Sequence, residues 1–117
     1  MNQLIWYPKC STCKAAKQAI ESCDLKFELR DIKEEKLNLD ELQDLIQKSG
    51  LPIRKFFNTS GLKYRELNLK ERLNTMSDEE MLELLASDGM LVKRPIFVFE
   101  DKVIVGKKEG EYKKLIG

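Results

Sequence analysis

Three cysteines, Cys10, Cys13 and Cys23, and a complete lack of histidine limit what chemistry this chain of 117 residues can do. Without imidazole, Ser-His-Asp and Cys-His catalysis are excluded, as are zinc sites that need a histidine ligand. An odd number of cysteines argues against a framework of structural disulfides, and three thiols spaced this way do not close a tetrahedral metal site. Thiol redox or nucleophilic chemistry remains. The sequence concentrates it in Tyr7-Pro8-Lys9-Cys10-Ser11-Thr12-Cys13-Lys14, a Cys-x-x-Cys where an apolar run meets a helical pattern. A thiol at a helix start faces N–H groups without intrahelical partners and the positive end of the helix dipole, and both favour thiolate. Lys9 and Lys14 add positive charge nearby. Cys13, one turn further on, falls on the same side of the helix and can attack a mixed disulfide formed at Cys10. Cys10 is therefore the expected nucleophile and Cys13 its resolving partner. The plainer alternative is a structural pair or half of a zinc site, but the chain holds no second ligand pair. Cys23, at apolar spacing near the end of the same helix, reads as a small core residue.

These thiols need a strand to deliver them and a helix to receive them, and the surrounding pattern predicts both. Gln3 to Tyr7 is a short apolar, aromatic-rich run stopped by Pro8, as a buried strand entering a turn would be. Ala15, Ala16, Ala19, Ile20 and Cys23 repeat at helical spacing from Ser11 to Cys23, with Lys14, Lys17, Gln18 and Glu21 opposite. Lys26 to Ile32, with Phe27 and Leu29 alternating against charges, predicts a second strand. A helical middle follows. Asn38 and Glu41 form a capping box for a helix through about Lys48, with Leu39, Leu42, Leu45 and Ile46 inward and Gly50 as its stop. Pro52 opens a short helix carrying Ile53, Phe56 and Phe57; Asn58 to Gly61 is a loop; weaker helical patterning runs through Tyr64, Leu67 and Leu69. Ser77 and Glu80 cap another helix, marked by Met81, Leu82, Leu84 and Leu85, that stops at Asp88-Gly89. Ile96 to Phe99 and Val103 to Val105 predict a hairpin turning at Glu100-Asp101-Lys102, and Lys108 to Ile116 a last helix. The order βαβ, helices, ββα is that of an α/β thioredoxin-like domain with a mixed sheet and a helical insertion at about 38–90.

The chain has the size of one domain, 1–117. With 42% hydrophobic and 35% charged residues it is too apolar for disorder, and no apolar run approaches the roughly 20 residues that span a bilayer. The N-terminus lacks the features of a signal peptide, so the expected compartment is the cytoplasm and no membrane partner is expected. Lys and Arg total 21 against 20 Asp and Glu, without a basic block, so no direct nucleic-acid contact is expected. No metal site or nucleotide-binding glycine loop is visible, and a monomer without a bound cofactor is expected.

Lys93-Arg94-Pro95 precedes the strand at Ile96. Thioredoxin-like folds carry a cis-proline opposite the active cysteine, where the missing N–H leaves the preceding backbone open to a substrate strand. Pro95 suits that place, and Arg94 would turn a permanent guanidinium toward a thiolate or an oxyanion. A trans-proline opening an edge strand beside a solvated arginine is the bland alternative.

Together with Gly50-Leu51-Pro52, Phe57-Asn58-Thr59-Ser60-Gly61 and Tyr64-Arg65-Glu66-Leu67, the cysteine turn and Lys93-Arg94-Pro95-Ile96 resemble the arsenate reductase (ArsC)/Spx family, in its small bacterial reductase-like branch. The resemblance covers essentially the whole chain. It implies a thioredoxin-like sheet with an inserted helical subdomain, a catalytic Cys10, and Arg94 next to a cis-Pro95. It also exposes departures. Arsenate reductases of the family hold their oxyanion with three arginines, whereas the matching middle position here falls near Asn58 and the last near Gly106-Lys107, leaving Lys107 or Arg65 as substitute charges. Cys13 is shared instead with the Spx regulators, whose Cys-x-x-Cys is a redox switch on a domain that binds the C-terminal domain of the RNA polymerase α subunit. Ser60 stands where those regulators are basic, and they extend past the last helix, after which this sequence ends at Gly117.

Two functions follow. The preferred one is a thiol-disulfide oxidoreductase: Cys10 attacks, Arg94 and the helix start stabilise its thiolate, and Cys13 or glutathione resolves the adduct. Lys9, Ser11, Thr12 and Pro95 would contact the thiol or disulfide substrate or redox donor protein, and glutathione, glutaredoxin or thioredoxin would supply electrons. Arsenate activity is expected to be weak. The alternative is a redox-sensing regulator that binds the RNA polymerase α subunit.

Overall fold

Short runs of β-branched, aromatic and leucine side chains at residues 3–6 and 96–99 form the two central strands of a four-stranded sheet. The computed structural model describes residues 2–106 and 109–114. In chain order its elements are β1 (Gln3–Trp6), α1 (Ser11–Ser22), β2 (Glu28–Asp31), α2 (Leu39–Ser49), α3 (Leu62–Glu66), α4 (Leu69–Arg72), α5 (Asp78–Ser87), β3 (Ile96–Phe99), β4 (Lys102–Val105) and α6 (Glu109–Lys114). Single 3₁₀ turns occur at Ile53–Phe56, Leu73–Thr75 and Gly89–Leu91. Contacts gather in two units, Met1–Ile32 with Arg94–Gly117, and Lys33–Lys93.

In the first unit the strand order is β2-β1-β3-β4. The β1 strand runs parallel to β2, with Leu4 opposite Leu29, and antiparallel to β3, with Leu4 opposite Phe97. A hairpin joins β3 to β4, Phe99 opposite Lys102. This is the mixed sheet and βαβ…ββα order of a thioredoxin-like α/β fold. Its core joins Leu4, Ala16, Ile20, Phe97 and Tyr112, all fully buried. Phe97 lies edge-on to both Phe27 (5.9 Å) and Tyr112 (5.8 Å), and the Tyr112 hydroxyl donates to the Gly106 carbonyl at 3.3 Å. Truncating Phe97 to alanine would cost about 3–5 kcal/mol, the usual range for a buried aromatic.

The helix α1 turns Cys13, Ala16 and Ile20 inward, a narrower stripe than the alanine-rich pattern suggests, with Ala15 and Ala19 half-buried at its margins. The β2 strand is shorter than the expected 26–32. It lies at the sheet edge, and Leu29 is 44% exposed there although it alternates correctly. The hairpin turn uses Glu100-Asp101 alone: Glu100 adopts a left-handed φ of 56°, so Lys102 already pairs in β4. The last helix is described over Glu109–Lys114, and the ends of the expected 108–116 span lie outside the described residues.

The second unit is helical. Both predicted capping boxes close. The Glu41 N–H donates to Asn38 Oδ1 at 2.8 Å and the Asn38 N–H to Glu41 Oε1 at 3.1 Å. At α5 the Glu80 N–H donates to Ser77 Oγ at 3.1 Å and the Ser77 N–H to Glu80 Oε1 at 3.0 Å. Gly50 ends α2 with a φ of 71°, the left-handed geometry that favours glycine. The helices α2 and α5 pack together, burying Leu42, Leu45, Met81 and Leu85. Leu39, expected inward, is 43% exposed, because as the first helical residue it precedes the buried stripe. Phe56 and Phe57 are buried after Pro52, and the Lys93 N–H donates to the Phe56 carbonyl at 2.7 Å.

Candidate functional site

The turn between β1 and α1 is built by its own backbone. The Cys10 N–H donates to the Tyr7 carbonyl at 3.0 Å, and the Cys10 carbonyl accepts from the Lys14 N–H at 3.1 Å as the first bond of α1. Cys10 is thus the cap residue, with extended φ and ψ of −92° and 120°. No acidic residue stands in the first turn of α1, so no carboxylate offsets the positive end of this twelve-residue helix.

The two thiols at this helix start differ in state. Cys10 is half-buried. Burial pushes its thiol up, but the N–H of Cys13, the Cys13 thiol, the Arg94 charge and the N–H of Thr12 together outweigh burial and hold it below the ordinary thiol value. The thiol closes no capping hydrogen bond. The N–H groups act on the anion, whose lone pairs they favour over S–H. Cys13 is fully buried. Burial pushes its thiol up to about 12, with Cys10 adding to the rise, while the Tyr7 N–H and the Arg94 charge oppose it. The Tyr7 N–H reaches Cys13 Sγ at 3.5 Å. One thiol is therefore primed to ionise and its neighbour holds its proton.

The third component enters with the segment before β3. The Arg94-Pro95 bond is cis, and the Pro95 carbonyl accepts from the Gly106 N–H at 2.7 Å. The Arg94 guanidinium carbon lies 5.2 Å from the centre of the Tyr7 ring, within the range of a cation–π contact. The sheet explains the meeting: β1 and β3 are antiparallel neighbours, so the end of β1 lies beside the start of β3.

Of the residues singled out in the sequence, Cys10, Cys13 and Arg94 come together electrostatically. Pro95 adjoins them in the chain. Lys9, Ser11, Thr12 and Lys14 are exposed around the cap, and of these Thr12 acts on Cys10 through its N–H. The cation that acts on the thiol is Arg94, at a position far along the chain, where sequence reasoning also looked to Lys9 and Lys14. Cys23 is at the other end of α1, half-buried against the Leu4 core. Gly106, the last of the departures from an arginine clamp, has a φ of 86° and both backbone polar groups engaged. Lys107 lies outside the described residues. In the helical unit, Asn58 donates its N–H to the Leu91 carbonyl at 2.8 Å and accepts from Ser60 Oγ at 3.3 Å. Arg65 is exposed on α3. Sequence reasoning missed Tyr7, an aromatic directly before the proline of the cysteine turn, which was available as a signal. Among the described residues no group of three or more Cys, Asp and Glu is arranged to hold a metal, and no helix is long and apolar enough to cross a membrane.

Comparison with known proteins agrees with this architecture. The model of the ArsC family matches residues 5–115. The uncharacterized protein YusI of Bacillus subtilis (strain 168) is 53% identical over 109 residues, covering 93% of this chain and 92% of YusI. The global transcriptional regulator Spx of Listeria monocytogenes (strain EGD-e) is 26% identical over 109 residues, covering 93% of this chain and 82% of Spx. Among solved structures, an ArsC family related protein from Bacteroides fragilis superposes with a TM-score of 0.94 at 45% identity, covering 97% of this chain and 96% of that one. A possible arsenate reductase from Streptococcus mutans UA159 superposes with a TM-score of 0.84 at 42% identity, covering 92% of each chain.

Proposed function

We propose that this chain, which belongs to the ArsC family, is a cytoplasmic, monomeric thiol-disulfide oxidoreductase with Cys10 as nucleophile and Cys13 as resolving thiol. The observation that carries the reading is the asymmetry of the pair: a half-exposed thiol held below its ordinary value beside a buried one raised to about 12. The thiolate is the attacking species, so only Cys10 is competent to begin. Cys10 attacks one sulfur of a substrate disulfide, forming a Cys10–substrate disulfide and expelling the other sulfur as a thiolate. That step removes the negative charge at Cys10, and with it the repulsion that helps keep Cys13 protonated, while Arg94 remains positive. Cys13 then attacks Cys10 Sγ, closing a Cys10–Cys13 bond, and its proton passes to the departing second substrate sulfur, which leaves as a thiol. Two electrons from glutathione, glutaredoxin or thioredoxin restore both thiols. Lys9, Ser11 and Thr12 line the exposed side of the cap and Pro95 follows Arg94 in the chain, so these are the substrate contacts in this reading.

The test is to change Cys13 to Ala and recover mixed disulfides from a lysate. Stable adducts located on Cys10 are expected. An absence of adducts, or adducts on Cys23, would overturn the assignment.

A second reading is supported by the likeness to Spx, a global transcriptional regulator, together with the Cys10–Cys13 spacing. Here the same disulfide would change affinity for the C-terminal domain of the RNA polymerase α subunit. Binding of that domain in the oxidised state and not in the reduced state, with no disulfide exchange activity, would favour the regulator over the enzyme.

A further inference from the structure

We propose that Tyr7 is a positioning residue of the thiol site, its ring holding the Arg94 guanidinium toward Cys10 while its backbone N–H and carbonyl tie the two cysteines to one residue. The inference rests on the reading of Cys10 as the nucleophile.

Three contacts converge on this residue. Its carbonyl accepts from the Cys10 N–H at 3.0 Å, its N–H reaches Cys13 Sγ at 3.5 Å, and its ring lies 5.2 Å from the Arg94 guanidinium carbon. The backbone contacts could be made by any residue other than proline. The ring contact could not. An arginine side chain has many rotamers and swings freely unless something fixes it. A carboxylate would fix the guanidinium but also cancel its charge, and the thiolate would lose the cation it needs. An aromatic face attracts the cation through its quadrupole and adds no negative charge. The Tyr7–Arg94 contact therefore restrains the cation without itself placing a negative charge beside the thiolate. Tyr7 stands at the end of β1 and Arg94 at the entry to β3, so the contact also joins two adjacent strand ends at the mouth of the site. The groups facing Cys10 are then Cys13 and the N–H of Thr12 on α1, Arg94 before β3, and Tyr7 after β1, with Lys9 adjacent in the chain.

The experiment is a double-mutant cycle read by the pH profile of Cys10 thiolate, followed by thiolate absorbance and by alkylation located by peptide mass. Tyr7→Phe keeps the aromatic face and should leave the profile in place. Tyr7→Leu should move it to higher pH and lower the thiolate fraction at a fixed pH below the midpoint by about two- to fourfold. In an Arg94→Gln background the same Tyr7→Leu change should have no further effect, because the ring acts only through the arginine. Circular dichroism confirms folding, and Tyr7→Met replaces Tyr7→Leu if the leucine variant does not fold. An unmoved profile in Tyr7→Leu, or an equal shift in both backgrounds, would overturn the role of Tyr7 while leaving Cys10 as nucleophile. If wild-type Cys10 titrates like Cys23, the nucleophile reading falls and the role of Tyr7 falls with it.

Discussion

Replacing Arg94 with glutamine tests how much of the reactivity of Cys10 is owed to one distant side chain. The substitution keeps a polar, hydrogen-bonding side chain, though a shorter one, and removes its charge. Cys10 is half-buried, so water screens much of the interaction, and a charge pair screened to that degree is worth on the order of 1 kcal/mol. At pH values below the midpoint this corresponds to a thiolate fraction about three- to tenfold lower in the variant. The observed rate should fall by less. A thiolate of higher pKa is a stronger nucleophile, with a Brønsted coefficient of about 0.4–0.5, which returns nearly half of the logarithmic loss. The net expectation is a rate of disulfide exchange or alkylation about two- to fourfold lower at acidic pH, and a rate above wild type once both proteins are fully ionised. Stopped-flow exchange with a small aromatic disulfide across the pH range measures both limbs. A loss of about thirtyfold or more at every pH would refute the reasoning, because it would mean that Arg94 binds the reacting group directly. An unchanged profile would show that its charge does not reach the thiol.

Other outcomes follow from the same geometry. Mild oxidation should produce a Cys10–Cys13 disulfide with Cys23 still reduced, since Cys23 is at the far end of α1; mass mapping that finds a dominant bridge to Cys23 would contradict this. Stability should fall at alkaline pH: the folded Cys13 thiol keeps its proton to about 12 while an unfolded thiol loses it near about 8.5, so the unfolded chain binds fewer protons in that window. The contribution is complete below about 8.5 and lost as pH rises toward 12, and denaturant titrations of Cys13→Ala should show a flatter alkaline slope. Arsenate reduction should be slower by about two to four orders of magnitude than in a relative with three arginines, because the family resemblance implies that this sequence, with Asn58 and Gly106 near the matching positions, lacks two charged hydrogen bonds of about 1.5–3 kcal/mol each. Steady-state assays with glutathione or glutaredoxin as donor decide it, and equal turnover would mean that another cation completes the clamp.

The features that were legible in the sequence are those fixed within a few residues. A capping box is a local exchange of two hydrogen bonds, so Asn38 with Glu41 and Ser77 with Glu80 announce α2 and α5 directly. Cys10 as a helix cap is local in the same sense. The misses depend on what lies around an element. Leu29 alternates as a buried strand residue should and is exposed because β2 is an edge strand. Leu39 has the right periodicity but sits at the first residue of its helix. The Arg94–Tyr7 contact is legible only after β1 and β3 are known to be antiparallel neighbours, because spacing along the chain carries no trace of it.

The cysteine pair marks the boundary between the two kinds of information. Its spacing shows that Cys13 can reach Cys10, and this is as far as a Cys-x-x-Cys pattern goes. It does not show that burial holds Cys13 protonated while helix N–H groups and an arginine from the opposite end of the chain favour charge at Cys10. That difference sets an order of events. If both thiols ionised readily, either could attack a substrate disulfide first, and the mixed disulfide would form at either sulfur. With Cys13 held protonated mainly by burial, the first attack falls to Cys10, and the mixed disulfide that Cys13 resolves forms there. The burial of Cys13 in α1, a packing fact, thereby becomes the condition that makes the exchange sequential.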